Sequence, residues 1–194
     1  MNKHRMHDNH MQELKSLTLA PYIQLAITLV DIPRKHLSNA FRHQMATLAI
    51  LIDYGYTDGV LLKASVIHDL LEDVKHFDRS LILKLDDGQA VLDLVLEVSK
   101  RDDENKRQFL ERILNDGSDR AKVLKSADRI SNLIDIGFTT NESFIERYLL
   151  ETVDCVIPMA LQVNLYMVEE MADLVVSRRG VLKAIKDSVK GKNE

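Results

Sequence analysis

The chain has 194 residues, 45% of them hydrophobic and 29% charged, with 26 Lys and Arg against 30 Asp and Glu for a formal net charge of −4. That length buries a core without disulfides or structural metals, and the composition excludes disordered, collagen-like and coiled-coil classes. Seven glycines and three prolines leave little room for a loop-rich all-β fold, and the mild acidity disfavours nucleic acid or an anionic membrane as partner, since both select basic faces.

Apolar residues recur at spacings of three and four through most of the chain, which predicts an all-α protein, one domain over residues 1–194. Residues 1–12 read as a flexible leader, including His4, His7 and His10, whose spacing of three chelates a metal only weakly. A first helix is expected over about 12–31, with Leu14, Leu17, Tyr22, Leu25, Ala26 and Leu29 on one side. Pro21 either kinks it or marks its true start, and Pro33 ends it. After a polar segment from Arg34 to Ala40, a second helix is expected from Phe41 to Tyr54, with Met45, Leu48, Ala49 and Ile52 facing inward. Asp58-Gly59 is a turn signal, and the nearly unbroken apolar helix from Val60 to about Leu71 takes a central position.

Two helical pieces, Arg79 to Leu85 and Gln89 to Val98, flank Asp86-Asp87-Gly88. The charged run from Lys100 to Arg107 leads into a helix ending at Asp116-Gly117, and Ser118 or Asp119 caps a helix over about 120–136 that stops at Gly137. Two helices complete the chain, Ser143 to Val176 with a break expected near Pro158, and Gly180 to Lys190, before a flexible tail over 191–194. Val153, Val156, Ile157, Leu161, Leu165 and Val168 give the first of these a broad apolar arc suited to a core or to homo-oligomer contact. One cysteine, Cys155, cannot form an internal disulfide. With no charged-then-apolar leader and no run of about 20 apolar residues, the sequence reads as a cytoplasmic chain with no membrane partner.

The chemistry concentrates in Val66-Ile67-His68-Asp69-Leu70-Leu71-Glu72-Asp73-Val74. Four ionisable groups interrupt an apolar helix, where burial without partners costs several kcal/mol. His68 and Asp69 can both reach one metal, and Glu72 and Asp73 each stand one helical turn further on, as an acid or base would. Imidazole and carboxylate together suit Mn, Fe, Zn or Ni. The competing reading is a helix end with solvated acids and a histidine satisfied by a carbonyl. His43 at the start of the second helix faces the third on the metal reading, and Asp128 sits among Lys125, Arg129 and Asn132 in the later helix, where a plain salt link is the alternative. Two histidines and two aspartates leave coordination positions open for water and a phosphate oxygen.

This pattern resembles the HD phosphohydrolase superfamily, and in detail the hydrolase domain of the RelA/SpoT family with its small stand-alone relatives. His68-Asp69-Leu70-Leu71-Glu72-Asp73 is similar to that family's His-Asp-x-x-Glu-Asp, and Lys125-Ser126-Ala127-Asp128-Arg129-Ile130-Ser131-Asn132-Leu133 to its Lys-x-Ala-Asp-Arg-x-x-Asn-Leu or Met. Arg34-Lys35 followed by His43 keeps the spacing of Arg-Lys-x-Gly-x-Pro-Tyr-x-x-His, and Ser99-Lys100 resembles an intervening Thr-Lys. The likeness spans roughly residues 20–170. It implies an HD-domain fold with His43, His68, Asp69 and Asp128 as ligands of Mn²⁺ or another divalent transition metal. It further implies Glu72 and Asp73 as the catalytic pair that orients and deprotonates the attacking water, and Arg34, Lys35 and Asn132 as substrate contacts. Lys125 and Arg129 either brace Asp128 or contact substrate. The implied reaction removes pyrophosphate from the 3′ position of guanosine tetra- or pentaphosphate, giving GDP or GTP.

The chain departs from the family at Leu37-Ser38-Asn39-Ala40, where Gly-x-Pro-Tyr is expected, at Gln44 in place of proline, and at Val74 in place of threonine. The first departure removes an aromatic from the segment expected over the base, which keeps open an HD phosphohydrolase for a different nucleotide or phosphoester. A non-enzymatic nucleotide sensor is the third reading, against which stand Glu72 and Asp73, since binding needs neither. The length leaves no room for synthetase and regulatory domains, so a dedicated hydrolase is expected.

Overall fold

The computed structural model describes residues 8–34, 38–139 and 141–190, all helix and connection apart from an isolated antiparallel bridge between Pro33 and Asn39. Lys35 and Leu37, with most of the expected leader and all of the 191–194 tail, lie outside the described residues. The chain divides into two compact units, one of residues 1–34 and 38–109, the other of residues 35–37 and 110–194.

In the first unit, α1 (Asp8–Ser16) precedes α2 (Ala20–Ala26), which has Pro21 in its first turn and tightens into a 3₁₀ turn over Ile27–Leu29. Pro21 therefore marks a true start, because a missing N–H costs nothing at that position. Helix α3 (Ala40–Asp53) is capped by Asn39, whose side chain accepts from the Arg42 N–H, and α4 (Gly59–Ile67) by Asp58, which accepts from the Leu61 N–H at 2.9 Å. Three further helices follow, α5 (Leu70–Asp73), α6 (Ser80–Leu83) and α7 (Gly88–Val98). Helix α4 packs against α2, α3 and α7, and every residue from Leu61 to Ile67 is buried, as its all-round apolarity requires.

Two features of this unit differ from the periodicity. The buried face of α3 carries Ala40, His43, Gln44, Thr47 and Leu51, whereas Met45, Leu48 and Ile52 are only part-buried and Ala49 is exposed. Apolarity alone selects the wrong face, because the inner one is given over to polar groups. The second feature is Lys63 in the middle of α4, with its side chain 3% exposed and its Nζ 2.6 Å from Asp86 Oδ2 and 2.7 Å from Asp87 Oδ2. Tyr22 lies over the same ammonium and donates its hydroxyl to the Asp86 carbonyl. Burial works to lower the Lys63 pKa, but the hydrogen bonds it donates to Asp86 and Asp87 outweigh this, with their charges, and raise the value overall.

In the second unit, to which α8 (Lys106–Asp116) leads, α9 (Asp119–Asp135) is the central helix. Ser118 caps it, and it packs against α11 (Ile157–Val163) and α12 (Leu165–Lys190). Its last carbonyls are taken by Arg178, which donates from Nε to Leu133 O at 2.8 Å and from a terminal nitrogen to Ile134 O at 3.1 Å. Gly137 makes that approach possible, since a Cβ there would stand 2.8 Å from the guanidinium. Between α10 (Glu142–Glu151) and α11 lies a π turn over Thr152–Val156. The extra residue rotates the following face, so Cys155, Val156, Met159 and Ala160 are buried while Leu161 and Leu165 are exposed. The expected break at Pro158 shifts accordingly. Pro158 sits harmlessly in the first turn of α11, and the chain breaks at Asn164, whose side chain accepts from the N–H groups of Tyr166 and Met167. Gly180 lies inside α12 and ends nothing.

The Lys63 arrangement yields an asymmetric prediction. The Asp86 and Asp87 side chains are 86% and 44% exposed, so Lys63→Met leaves them hydrated and costs no more than about 1 kcal/mol. Asp86→Asn with Asp87→Asn leaves the ammonium without its counter-charges and costs more than Lys63→Met does. Urea unfolding of both variants checks this, and equal losses would contradict it.

Candidate metal centre and active site

Helix α4 ends inside the core. His68 keeps near-helical angles, but Asp69, at φ −95° and ψ −2°, ends the ladder, and the chain restarts as α5 with the N–H groups of Glu72 and Asp73 donating to the Asp69 carbonyl at 3.1 and 2.9 Å. The apolar pattern predicts one helix from Val60 to about Leu71, because Leu70 and Leu71 continue the run across the break. The break brings two adjacent side chains to one point. His68 is 3% exposed, and its Nδ1 lies 2.8 Å from the Ser65 carbonyl. A carbonyl only accepts, so Nδ1 carries the proton, and the Nε2 of the neutral ring presents a lone pair.

That lone pair meets His43, 1% exposed on the inner face of α3, with the two Nε2 atoms 3.3 Å apart and the rings edge to face at 65°. Asp69 Oδ2 stands 3.5 Å from the His68 nitrogen and 3.6 Å from that of His43. A triangle with edges of 3.3, 3.5 and 3.6 Å puts all three atoms about 2.0 Å from a common centre, the length of a metal–nitrogen or metal–oxygen bond. Among the described residues, these are the three whose donor atoms converge as a metal site would need. Two imidazoles and one carboxylate fit a divalent transition metal, and three protein ligands leave further positions open.

Charged and polar groups surround the triangle. The Arg34 guanidinium lies 3.9 Å from Asp69 Oδ2, and Gln44 donates its amide to the same oxygen at 3.1 Å. Glu72 is held by the backbone N–H of Lys100, which donates to its Oε1 at 2.9 Å, while the Lys100 ammonium closes its own loop on the Arg101 and Glu104 carbonyls. Asp73 reaches solvent, yet desolvation by the surrounding protein, reinforced by the Asp69 and Glu72 charges, pushes its carboxyl up to about 6, with the Arg34 charge acting in the opposite sense.

Asp128 and Asn132 belong to the second unit, on α9. There Lys125 Nζ lies 2.5 Å from Asp128 Oδ2, and the Asn132 amide donates to Asp128 Oδ1 and to its carbonyl. Arg129, 1% exposed, turns to α10 and the π turn. It donates to the Tyr148 carbonyl and the Thr152 hydroxyl, pairs with Glu151 at 3.8 Å and lies over the Tyr148 ring at 3.9 Å. It ties α9 to α10 and the π turn, whereas of the two residues expected to brace Asp128 or contact substrate it is Lys125 that pairs with Asp128. The structure thus brings together His43, His68 and Asp69, with Arg34, Glu72 and Asp73 beside them. Gln44 and the Lys100 N–H are additions. The signal for Gln44 was a polar residue in register with His43 on the face that turned out to be inner.

No protein-family model matches the chain, and neither does any curated protein sequence. A solved structure of a metazoan ortholog of SpoT, described as hydrolysing ppGpp and playing a role in starvation responses, matches with a TM-score of 0.68 at 22% identity, over 89% of this chain and 96% of the other. The all-α fold is therefore one that a known protein shares. No helix among the described residues is long and apolar enough to cross a membrane.

A carboxyl pKa raised to about 6 means that the folded, ion-free protein holds the Asp73 proton more tightly than the unfolded chain does. The resulting stabilisation is complete below about pH 4 and is lost as pH rises through about 6. Asp73→Asn should therefore gain melting temperature relative to the wild type between pH 5 and pH 8, measured in chelator. A difference that does not change with pH would contradict the environment described for Asp73.

Proposed function

We propose that the chain is a divalent-metal-dependent hydrolase of guanosine 3′,5′-bis(diphosphate) and the corresponding pentaphosphate, removing the 3′ diphosphate as pyrophosphate to leave GDP or GTP. The observation that carries this reading is the convergence of His43, His68 and Asp69 on one centre beside a carboxyl raised to about 6. The fold shared with a protein described as hydrolysing ppGpp supports the substrate class. We further assign Mn²⁺ as the ion, Asp128 as its fourth ligand, and the cytoplasm as the working compartment, where a lone buried cysteine, Cys155, is at ease. In that setting the enzyme would act on the nucleotide of the stringent response.

A bound ion supplies Lewis acidity, lowering the pKa of a water and offsetting phosphate charge. The remaining work falls to the side chains. Asp73, whose carboxyl is raised to about 6 in the ion-free protein and is still ionised at neutral pH, accepts the proton of the attacking water. Glu72, fixed by the Lys100 N–H, orients that water. Arg34 exchanges a long contact with Asp69 for the diphosphate oxygens, with Lys35 as a second cation and Asn132 meeting the sugar and its adjacent phosphate. The water oxygen bonds to the phosphorus nearest the ribose, the P–O3′ bond breaks, O3′ takes a proton, and pyrophosphate leaves.

One observation favours a second reading, a phosphohydrolase for a related nucleotide. Ser38 closes on Arg34 through the backbone and Asn39 caps α3, so this segment serves the fold and carries no aromatic to stack on a base. Ion-exchange separation after incubating Mn²⁺-loaded protein with guanosine 3′,5′-bis(diphosphate) tests both. GDP with intact pyrophosphate is expected, abolished in His68→Ala and reduced about a hundredfold or more in Asp73→Asn with its ion content unchanged. No turnover by the loaded wild type overturns the proposal, and orthophosphate released from a nucleoside monophosphate favours the second reading.

A further inference from the structure

Gln44 is fully buried, one residue after His43 on the inner face of α3. Its Nε2 donates at 3.1 Å to Asp69 Oδ2, the same oxygen that faces both histidine nitrogens. Because a carboxylate only accepts, the nitrogen end of the amide is fixed toward Asp69 and the oxygen end is turned away. That oxygen, Oε1, has no hydrogen-bond partner among the described residues. A buried amide with one end unsatisfied costs stability that an apolar side chain of the same size would not. Packing alone therefore gives no reason for an amide here.

The reason lies in Asp69. Its side chain is 24% exposed, and Arg34, itself reaching solvent, attracts the same oxygen from 3.9 Å. At a helix break the backbone does not by itself set the direction of the Asp69 carboxylate, and the buried Gln44 amide supplies a hydrogen bond that turns Oδ2 toward the histidine pair. We propose that Gln44 is a positioning residue that holds the Asp69 carboxylate on the His43–His68 centre, giving up fold stability to keep the ligand triangle closed before an ion arrives. The inference rests on the metal-centre reading and adds a residue to it.

The test uses the full chain and Gln44→Met, which keeps the length and removes both polar ends. Mn²⁺ titration calorimetry should show Kd raised about 10- to 100-fold, the usual cost of losing a partner that orients a ligand. The melting temperature of the ion-free variant should be equal to or above that of the wild type. A lower melting temperature with unchanged Kd would make Gln44 an ordinary core residue and overturn the proposal. Independently of any ion or variant, ¹⁵N spectra of the ion-free wild type should show one Gln44 side-chain proton shifted downfield and slow to exchange. Two equivalent, fast-exchanging protons would overturn the proposal even if Gln44→Met failed to fold. A wild type that binds no Mn²⁺ would sink the metal-centre reading, while the spectra would still decide whether Gln44 holds Asp69.

Discussion

The hydrogen bond from His68 Nδ1 to the Ser65 carbonyl, at 2.8 Å, is the contact on which the candidate centre depends. The last turn of any helix leaves carbonyls without intrahelical partners, and the last turn of α4 is buried. The imidazole takes one of these carbonyls, and in doing so commits its proton to Nδ1 and its lone pair to Nε2. One contact thus settles a problem of helix termination and prepares a ligand. The turn at Asp69 then brings the carboxylate to the same place, and α3, packed on α4, brings His43.

Polar groups cluster around both central helices, and each cluster has its own compensation. Lys63, in the middle of α4, is neutralised by a pair of aspartates, and Asp128 on α9 is held by Lys125 and Asn132. Arg129 is spread over a carbonyl, a hydroxyl, a carboxylate and an aromatic face. Among the described residues, Arg129 Nε and Gln44 Oε1 are buried without a hydrogen-bond partner, and the group around Asp69 alone adds to this a carboxyl, Asp73, raised to about 6. A site whose electrostatics are incomplete in the protein alone is what a cation and an anionic substrate would together complete.

Much of this was legible in the sequence where local rules apply. Ser118 signalled a helix start and acts as a cap, Asp58, legible as a turn residue, caps α4 as well, and the apolar run of α4 implied a central position. His43, His68 and Asp69 could be picked out because ionisable residues in apolar surroundings need a reason. What was hidden is tertiary. Nothing in Ile67-His68-Asp69-Leu70 marks a break, since its apolar neighbours continue the helical pattern. The inner face of α3 was misread because the site had replaced its apolar stripe with His43, Gln44 and Thr47. The π turn at Thr152–Val156 shifted every later position by one residue, beyond the reach of a fixed period of 3.6. Gln44 stood out only as a departure from the family pattern, and its role needed the distance to Asp69.

The central claim is that His43, His68 and Asp69 form a single ligand triangle. Diffraction from crystals grown with Mn²⁺, recorded at the manganese absorption edge, tests it most directly. The expected result is an anomalous peak at bonding distance from the Nε2 atoms of both histidines and from Asp69 Oδ2. A fully occupied peak elsewhere, or none at these three atoms in a protein saturated with the ion, would contradict the claim.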